Sequence, residues 1–154
     1  MRDLDVFAGR PVQVGITLTT LDERLRQLWE PTAASVEERA GAIEAARRAD
    51  LQTSVMFGPL LPFLSDSPAA IDALLERAAD LGVNRIWVDA LNPRPRVWPA
   101  VAGLLRAKFP ELLPQYRKIL FDPPSRATYL EELRSRIDDA ARHKSLTDRV
   151  AACM

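Results

Sequence analysis

A chain of 154 residues, 47% apolar and 27% charged, has the length and balance of one globular domain. Its 21 basic residues are matched by 21 acidic ones, so no global field draws it to nucleic acid or to an anionic membrane, although a local basic groove is compatible with that balance. With one cysteine, Cys153, and one histidine, His143, the chain has no internal disulfide and is a poor source of a Cys/His zinc or iron–sulfur site.

No apolar run approaches the ~20 residues of a membrane span. The start, Met1-Arg2-Asp3-Leu4-Asp5, has neither a long apolar stretch nor a small-residue cleavage site, so no secretory signal is expected and the cytoplasm is the default compartment.

In chain order, the first predicted strand covers residues 12–19, where apolar side chains at 12, 14, 16 and 18 give a period of two. A helix follows with Leu21, Leu25, Leu28 and Trp29 on one side, stopped by Pro31. Ser35 and Glu38 form a capping box that opens a second helix, with Val36, Ala40, Ile43 and Ala46 inward. A second strand is predicted over 52–57. Residues 58–67 read as a loop, because Gly58, Pro59 and Pro62 weaken ladder hydrogen bonding. Ser67 and Pro68 cap the next helix, whose stripe is Ile71, Leu74, Leu75, Ala78 and Leu81, and Gly82 ends it.

The third strand is predicted over 85–90, and the loop 91–96 follows it. A helix over 98–108 carries Val101, Leu104, Leu105 and Phe109 and breaks at Pro110. A short helix over 112–120 and a long one over 125–143 complete the order, the latter with Leu130, Leu133, Ile137 and Ala141 inward. Strands alternating with helical crossovers imply an α/β fold with a parallel sheet, and strand spacings of 30 to 40 residues suit units of a (β/α) barrel. Three parallel strands do not close a barrel, and the first would expose an edge of unpaired backbone groups.

Several segments together carry a resemblance. They are Val14-Gly15-Ile16-Thr17-Leu18-Thr19-Thr20-Leu21-Asp22-Glu23, Glu30-Pro31, Arg39, Pro59-Leu60-Leu61-Pro62 with Asp66, the tail Phe109 to Tyr116, and Tyr129-Leu130. Their order and spacing resemble the later βα units of radical S-adenosylmethionine (SAM) proteins of the spore photoproduct lyase-like (DNA repair photolyase-like) group, over roughly residues 12–142. The resemblance implies a partial parallel (β/α) barrel of about three βα units over 1–110, the second half of a TIM-like barrel, with a helical extension over 111–154 packed on it. It also implies reductive cleavage of SAM at a [4Fe–4S] cluster, and lyase-type radical chemistry on DNA. The cluster's CxxxCxxC motif is missing from these residues. The chain is therefore expected to be a truncated SAM-side half, inactive alone, or else a non-catalytic half-barrel that assembles with an N-terminal half-barrel or with itself.

The same resemblance points to cofactor-binding positions. Thr17 and Thr19 end the first strand, and a hydroxyl there would reach the methionine end of SAM. Arg39 would pair its carboxylate. The backbone from Phe57 to Pro59 would line the adenine, and Asn92 would meet the nucleoside. No catalytic residue and no metal ligand is expected in the chain, and nucleic acid as a partner follows from the resemblance alone. Asp50 and Phe63 depart from the group, which more often has glycine at both places.

Each position also has a plainer reading. Thr17 suits a strand as a β-branched residue. Arg39 would equally pair with Glu30 or Glu38. Glu30-Pro31 would simply stop a helix, Asp66 and Ser67 would form a turn and a cap, and Asn92-Pro93 a turn. Trp29, Trp87 and Trp98 would anchor the core or its rim, and His143 would face a helix dipole. Arg47, Arg48, Arg94 and Arg96 would be solvated.

Overall fold

The computed structural model describes residues 5–7 and 9–154, so that residues 1–4, read above for a leader, lie outside the described residues. A single parallel sheet organises the chain. Its strands β1 (Gln13–Leu18), β2 (Gln52–Leu60), β3 (Arg85–Ala90) and β4 (Val150–Ala152) lie side by side in chain order. The crossovers are α1 (Glu23–Trp29) with α2 (Val36–Arg48), then α3 (Pro68–Leu81), then α4 (Trp98–Lys108), α5 (Leu113–Phe121) and α6 (Pro123–His143). The α/β class, with strands alternating with helices and a helical carboxyl-terminal part, is the one expected.

Helix boundaries follow their caps. Asp22 accepts the Arg24 and Leu25 N–H groups, which starts α1 at Glu23, two residues later than the apolar spacing implies. The expected capping box holds: Ser35 and Glu38 bond reciprocally at the start of α2. Gly82 takes φ +60° after α3, and a Cβ there would sit 2.7 Å from the Arg47 guanidinium. Asp122 caps α6 through the Ser125 N–H, so that Pro123 and Pro124 form its first turn rather than a preceding loop. The predicted helix over 112–120 divides into a 3-10 turn, Pro110–Leu112, and α5.

Two sequence expectations are corrected. Residues 58–60 belong to β2, not to a loop. The Gly58–Pro59 peptide is cis, and the β2–β3 register shifts between Phe57 and Leu60. That irregularity lets a strand carry a proline with no N–H to give. Gly58 is also where backbones approach, since a Cβ there would lie 3.1 Å from the Asp89 Cβ. The second correction is β4, three residues too short to show a period, which pairs with β3 as a fourth strand, while β1, whose edge was expected to be open, stays at the edge of the sheet among the described residues.

Strand alternation separates two faces. Leu18, Val55, Phe57, Ile86 and Val88 pack with Ile43 of α2, Leu74 of α3 and Leu133 of α6 in the main core. A second cluster joins Leu91, Val101, Leu105, Tyr116 and Leu120. Leu104, expected inward, is only half-buried, and Ala102 takes its place. The opposite face of the sheet carries Thr17, Met56, Trp87 and Ala151 in one row across the four strands. No helix of the described residues covers it at Thr17 and Met56, which are exposed.

Candidate functional site

The carboxyl ends of the strands gather the polar side chains that the sequence separates. After β1 the chain turns through Thr19 and Thr20, both buried, into α1. Arg26 of α1 gives its guanidinium to the Glu30 and Ala33 carbonyls at 2.9 and 2.8 Å, fixing the turn that follows the helix. That turn returns Glu30 to the end of the sheet. There the Thr19 hydroxyl donates to Glu30 Oε1 at 3.1 Å, and Gly58 O lies a further 3.4 Å from the same hydroxyl.

Arg39, in the first turns of α2, completes the network. Its Nη2 pairs with the other Glu30 oxygen, its Nη1 donates to the Thr17 carbonyl at 2.6 Å, and its Nε donates to the Ala34 carbonyl at 3.0 Å. Glu30 is thus the partner of Arg39, while Glu38 serves the helix cap. With all three arms engaged, Arg39 holds the end of β1 to the start of α2. A ligand carboxylate would reach its fork only by displacing Glu30.

The other sequence-predicted positions divide. The Thr17 side chain stands on the open face and makes no hydrogen bond among the described residues. Phe57 is 2% exposed and packs in the helix-covered core, so only its backbone borders the site. Pro59 is half-buried beside the cis bond, and Asn92 is exposed just beyond β3. The two departures from glycine have a conformational counterpart: Asp50 has φ +56° and Phe63 has φ +63°, the left-handed region that glycine favours.

A second polar group, not foreseen as a site, lies where the β2–α3 loop meets α5 and α6. Asp66 is 4% exposed, accepts the Phe63 N–H at 2.7 Å and faces Arg136 at 3.6 Å. Burial pushes its carboxyl above the usual carboxylate range, against the opposing pull of Arg136 and of the Phe63 N–H. Tyr129 and Tyr116 are buried near the same carboxyl, and burial first, then the Asp66 charge, raises both phenols far above their ordinary value. The Asp66 turn had been legible, and Tyr129 had stood in the resemblance. Their meeting is tertiary, because Arg136 is 70 residues from Asp66.

A hollow of about 980 Å³ lies at the other end of the sheet, beside Arg10, Gln13, Gln52 and Arg85. It lies at the amino ends of the strands, the side that serves stability rather than chemistry in βα barrels.

Comparison with known proteins yields relatives but no function. The chain is 35% identical over 146 residues to uncharacterized proteins of Mycobacterium tuberculosis and Mycobacterium bovis, covering 88% of this chain and 42% of each relative. It is 24% identical over 112 residues to an uncharacterized protein of Acidianus two-tailed virus, 70% of this chain and 37% of that one. The chain therefore spans less than half the length of the curated relatives it matches. No family model matches it, and no solved structure does.

Proposed function

We propose that this chain is the SAM-side half of a radical SAM barrel of the spore photoproduct lyase-like group, requiring a second half for catalysis. One observation carries the reading. Thr17, Thr19, Glu30 and Arg39, which come from three segments of the resemblance, join in one hydrogen-bonded network at the carboxyl end of β1, with the Gly58 carbonyl beside it. That end of a βα sheet is where such folds hold their ligands. The open row of Thr17, Met56 and Trp87, and the side of β1 that pairs with no strand among the described residues, are consistent with further strands completing the sheet.

The residues fit the two cofactors differently. A [4Fe–4S] cluster needs several cysteine thiolates, and this chain has the single exposed Cys153, so its own residues do not fit a cluster. SAM fits better. The free Thr17 hydroxyl and the exposed Asn92 would supply hydrogen bonds, and the backbone at Gly58-Pro59 would border the adenine. Arg39 would act as a positioning residue, holding the Thr17 carbonyl so that the strand end keeps its shape. The SAM sulfonium, once reduced elsewhere in the complete site, would supply the radical chemistry.

A second reading, a non-catalytic half-barrel that docks onto itself or another chain, is favoured by the exposure of Met56, 38% on the uncovered sheet face. Nucleic acid as a partner is supported by residues 94–126, where seven Arg and Lys side chains stand against Glu111 and Asp122 in a chain of zero net charge.

The test is co-expression with a half-barrel domain bearing CxxxCxxC, followed by reconstitution with iron, sulfide and reductant. SAM retention is measured by equilibrium dialysis and 5′-deoxyadenosine by chromatography. Both are expected in the paired sample, with no 5′-deoxyadenosine from this chain alone. Production of 5′-deoxyadenosine by the chain alone, or failure of the paired sample to retain SAM, overturns the proposal.

A further inference from the structure

A carboxylate taken partly out of water is normally paired, so a half-buried one without a partner is informative. The four strands hold two charged residues, Arg85 and Asp89, both in β3. They alternate with Ile86 and Val88 of the main core, which puts them on the uncovered face with Trp87. Arg85 stands opposite Ser54 and borders the hollow at the amino end of the sheet. Asp89 stands at the carboxyl end, roughly 13 Å further along the strand.

Asp89 is half-buried, and its side chain makes no hydrogen bond or ion pair among the described residues. The Asp89 charge acts on Arg126 at the start of α6, but the two do not pair. Its neighbour on β2 is Gly58, where a Cβ would lie 3.1 Å from the Asp89 Cβ. Beyond Gly58, Thr19 and Glu30 are already joined to each other, and Arg39 holds Glu30. The two Asp89 oxygens are therefore free acceptors, beside a strand that carries no side chain at Gly58.

We propose that Asp89 binds the ribose of SAM, its two carboxylate oxygens accepting the 2′- and 3′-hydroxyls. The inference rests on the SAM reading above and deepens it. Two adjacent hydroxyl donors match two carboxylate oxygens, and hydrogen bonds to an ionised acceptor are about twice as strong as neutral ones. An acidic side chain serves the ribose of dinucleotides in the same way in other βα folds. The position fits as well. With the adenine along the backbone from Phe57 to Pro59 on β2, its ribose is within reach of the next strand, because neighbouring strands lie only about 4.8 Å apart. The missing side chain at Gly58 leaves that approach open. The 6-amino group of adenine is the rival donor, and the experiment separates the two.

The experiment uses the co-expressed pair with labelled SAM bound. Three unlabelled probes displace it: adenosine, 2′,3′-dideoxyadenosine, which lacks the diol, and purine riboside, which lacks the 6-amino group. Dideoxyadenosine is expected to compete about tenfold or more worse than adenosine, as loss of a hydrogen bond to a charged group does, with purine riboside within about threefold of adenosine. Asp89→Asn is expected to weaken adenosine about tenfold and to leave dideoxyadenosine within about twofold, a selectivity that a merely structural role would not produce. Equal competition by adenosine and dideoxyadenosine in the parent overturns the proposal and leaves the SAM reading in place. A larger loss with purine riboside than with dideoxyadenosine overturns it in favour of the adenine amine. So does an equal loss of both nucleosides in Asp89→Asn, which would make the residue structural. The parent's own probe series decides the matter if that variant does not fold. Failure of the pair to retain SAM overturns the SAM reading, and this inference falls with it.

Discussion

Glu30 and Arg39 form an ion pair whose side chains are 23% and 14% exposed, and through it three separate backbone segments are tied to one another. Glu30 also accepts the Thr19 hydroxyl, and Arg39 also bonds the carbonyls of Thr17 and Ala34. A pair at this depth differs from a solvated surface pair, because removing one partner leaves the other charge partly buried with its hydrogen bonds unmade.

Arg39→Leu is therefore expected to cost about 2–3 kcal/mol of stability in chemical denaturation. Glu30→Gln, which keeps an oxygen for Thr19, is expected to cost about 1 kcal/mol. The double variant should depart from additivity by more than about 0.5 kcal/mol. Additive losses would mean that the two side chains act independently and that the network is not a unit.

Phe63→Gly is expected to stabilise the protein. A non-glycine residue in the left-handed region pays roughly 1–2 kcal/mol, and the φ of +63° places Phe63 there. Glycine's extra chain entropy returns about 0.5–1 kcal/mol. Phe63 is 52% exposed, so the substitution forfeits little burial beyond its contact with the Tyr116 ring. A net gain of up to about 1 kcal/mol, read as a higher denaturation midpoint at unchanged slope, is the outcome sought. A lower midpoint would show that the Phe63–Tyr116 contact outweighs the backbone cost.

Asp66 predicts a pH dependence of definite sign. Its carboxyl is raised in the folded state, chiefly by burial, so the folded protein holds the proton more tightly than the unfolded chain does. Stability from this group is fully present below the unfolded value of about 3.9 and is lost as pH rises through the higher folded value. The difference in unfolding free energy between the parent and Asp66→Asn should therefore fall as pH rises from about 4 through that window. A difference that grew over the same range would mean that Arg136 and the Phe63 N–H dominate over burial.

The open sheet face offers a fourth prediction. Met56→Glu replaces an exposed side chain and should change stability by no more than about 0.5 kcal/mol. If the face seats another chain, the same substitution abolishes association seen by sedimentation velocity. A parent chain that stays monomeric at all concentrations, alone and with a complementing half-barrel, would remove the basis for this prediction.

Much of the architecture was legible because it rests on local chemistry. The period-two run from Val12 to Leu18, the stripe Ile71, Leu74, Leu75, Ala78 and Leu81, and the Ser35–Glu38 box each encode an element within a few residues. Val150–Ala152 did not, because three residues hold no period and form a strand only by pairing with β3. Residues 58–60 misled for a related reason: proline and glycine argue against a regular ladder, and the ladder there is irregular.

The site divides along the same line. Composition by itself determined that this chain cannot furnish the thiolates of an iron–sulfur cluster, since one cysteine is too few at any geometry. The alternation of apolar runs determined a parallel sheet with helical crossovers. Whether Arg39 faced a ligand, Glu30 or Glu38 was decided only by tertiary structure, through the turn that Arg26 stabilises and that brings Glu30 back to β1. Likewise, Arg136 is an ordinary helix residue in sequence. It meets Asp66 only because α6 folds back over the loop after β2, and contacts between residues so distant leave no local pattern to read.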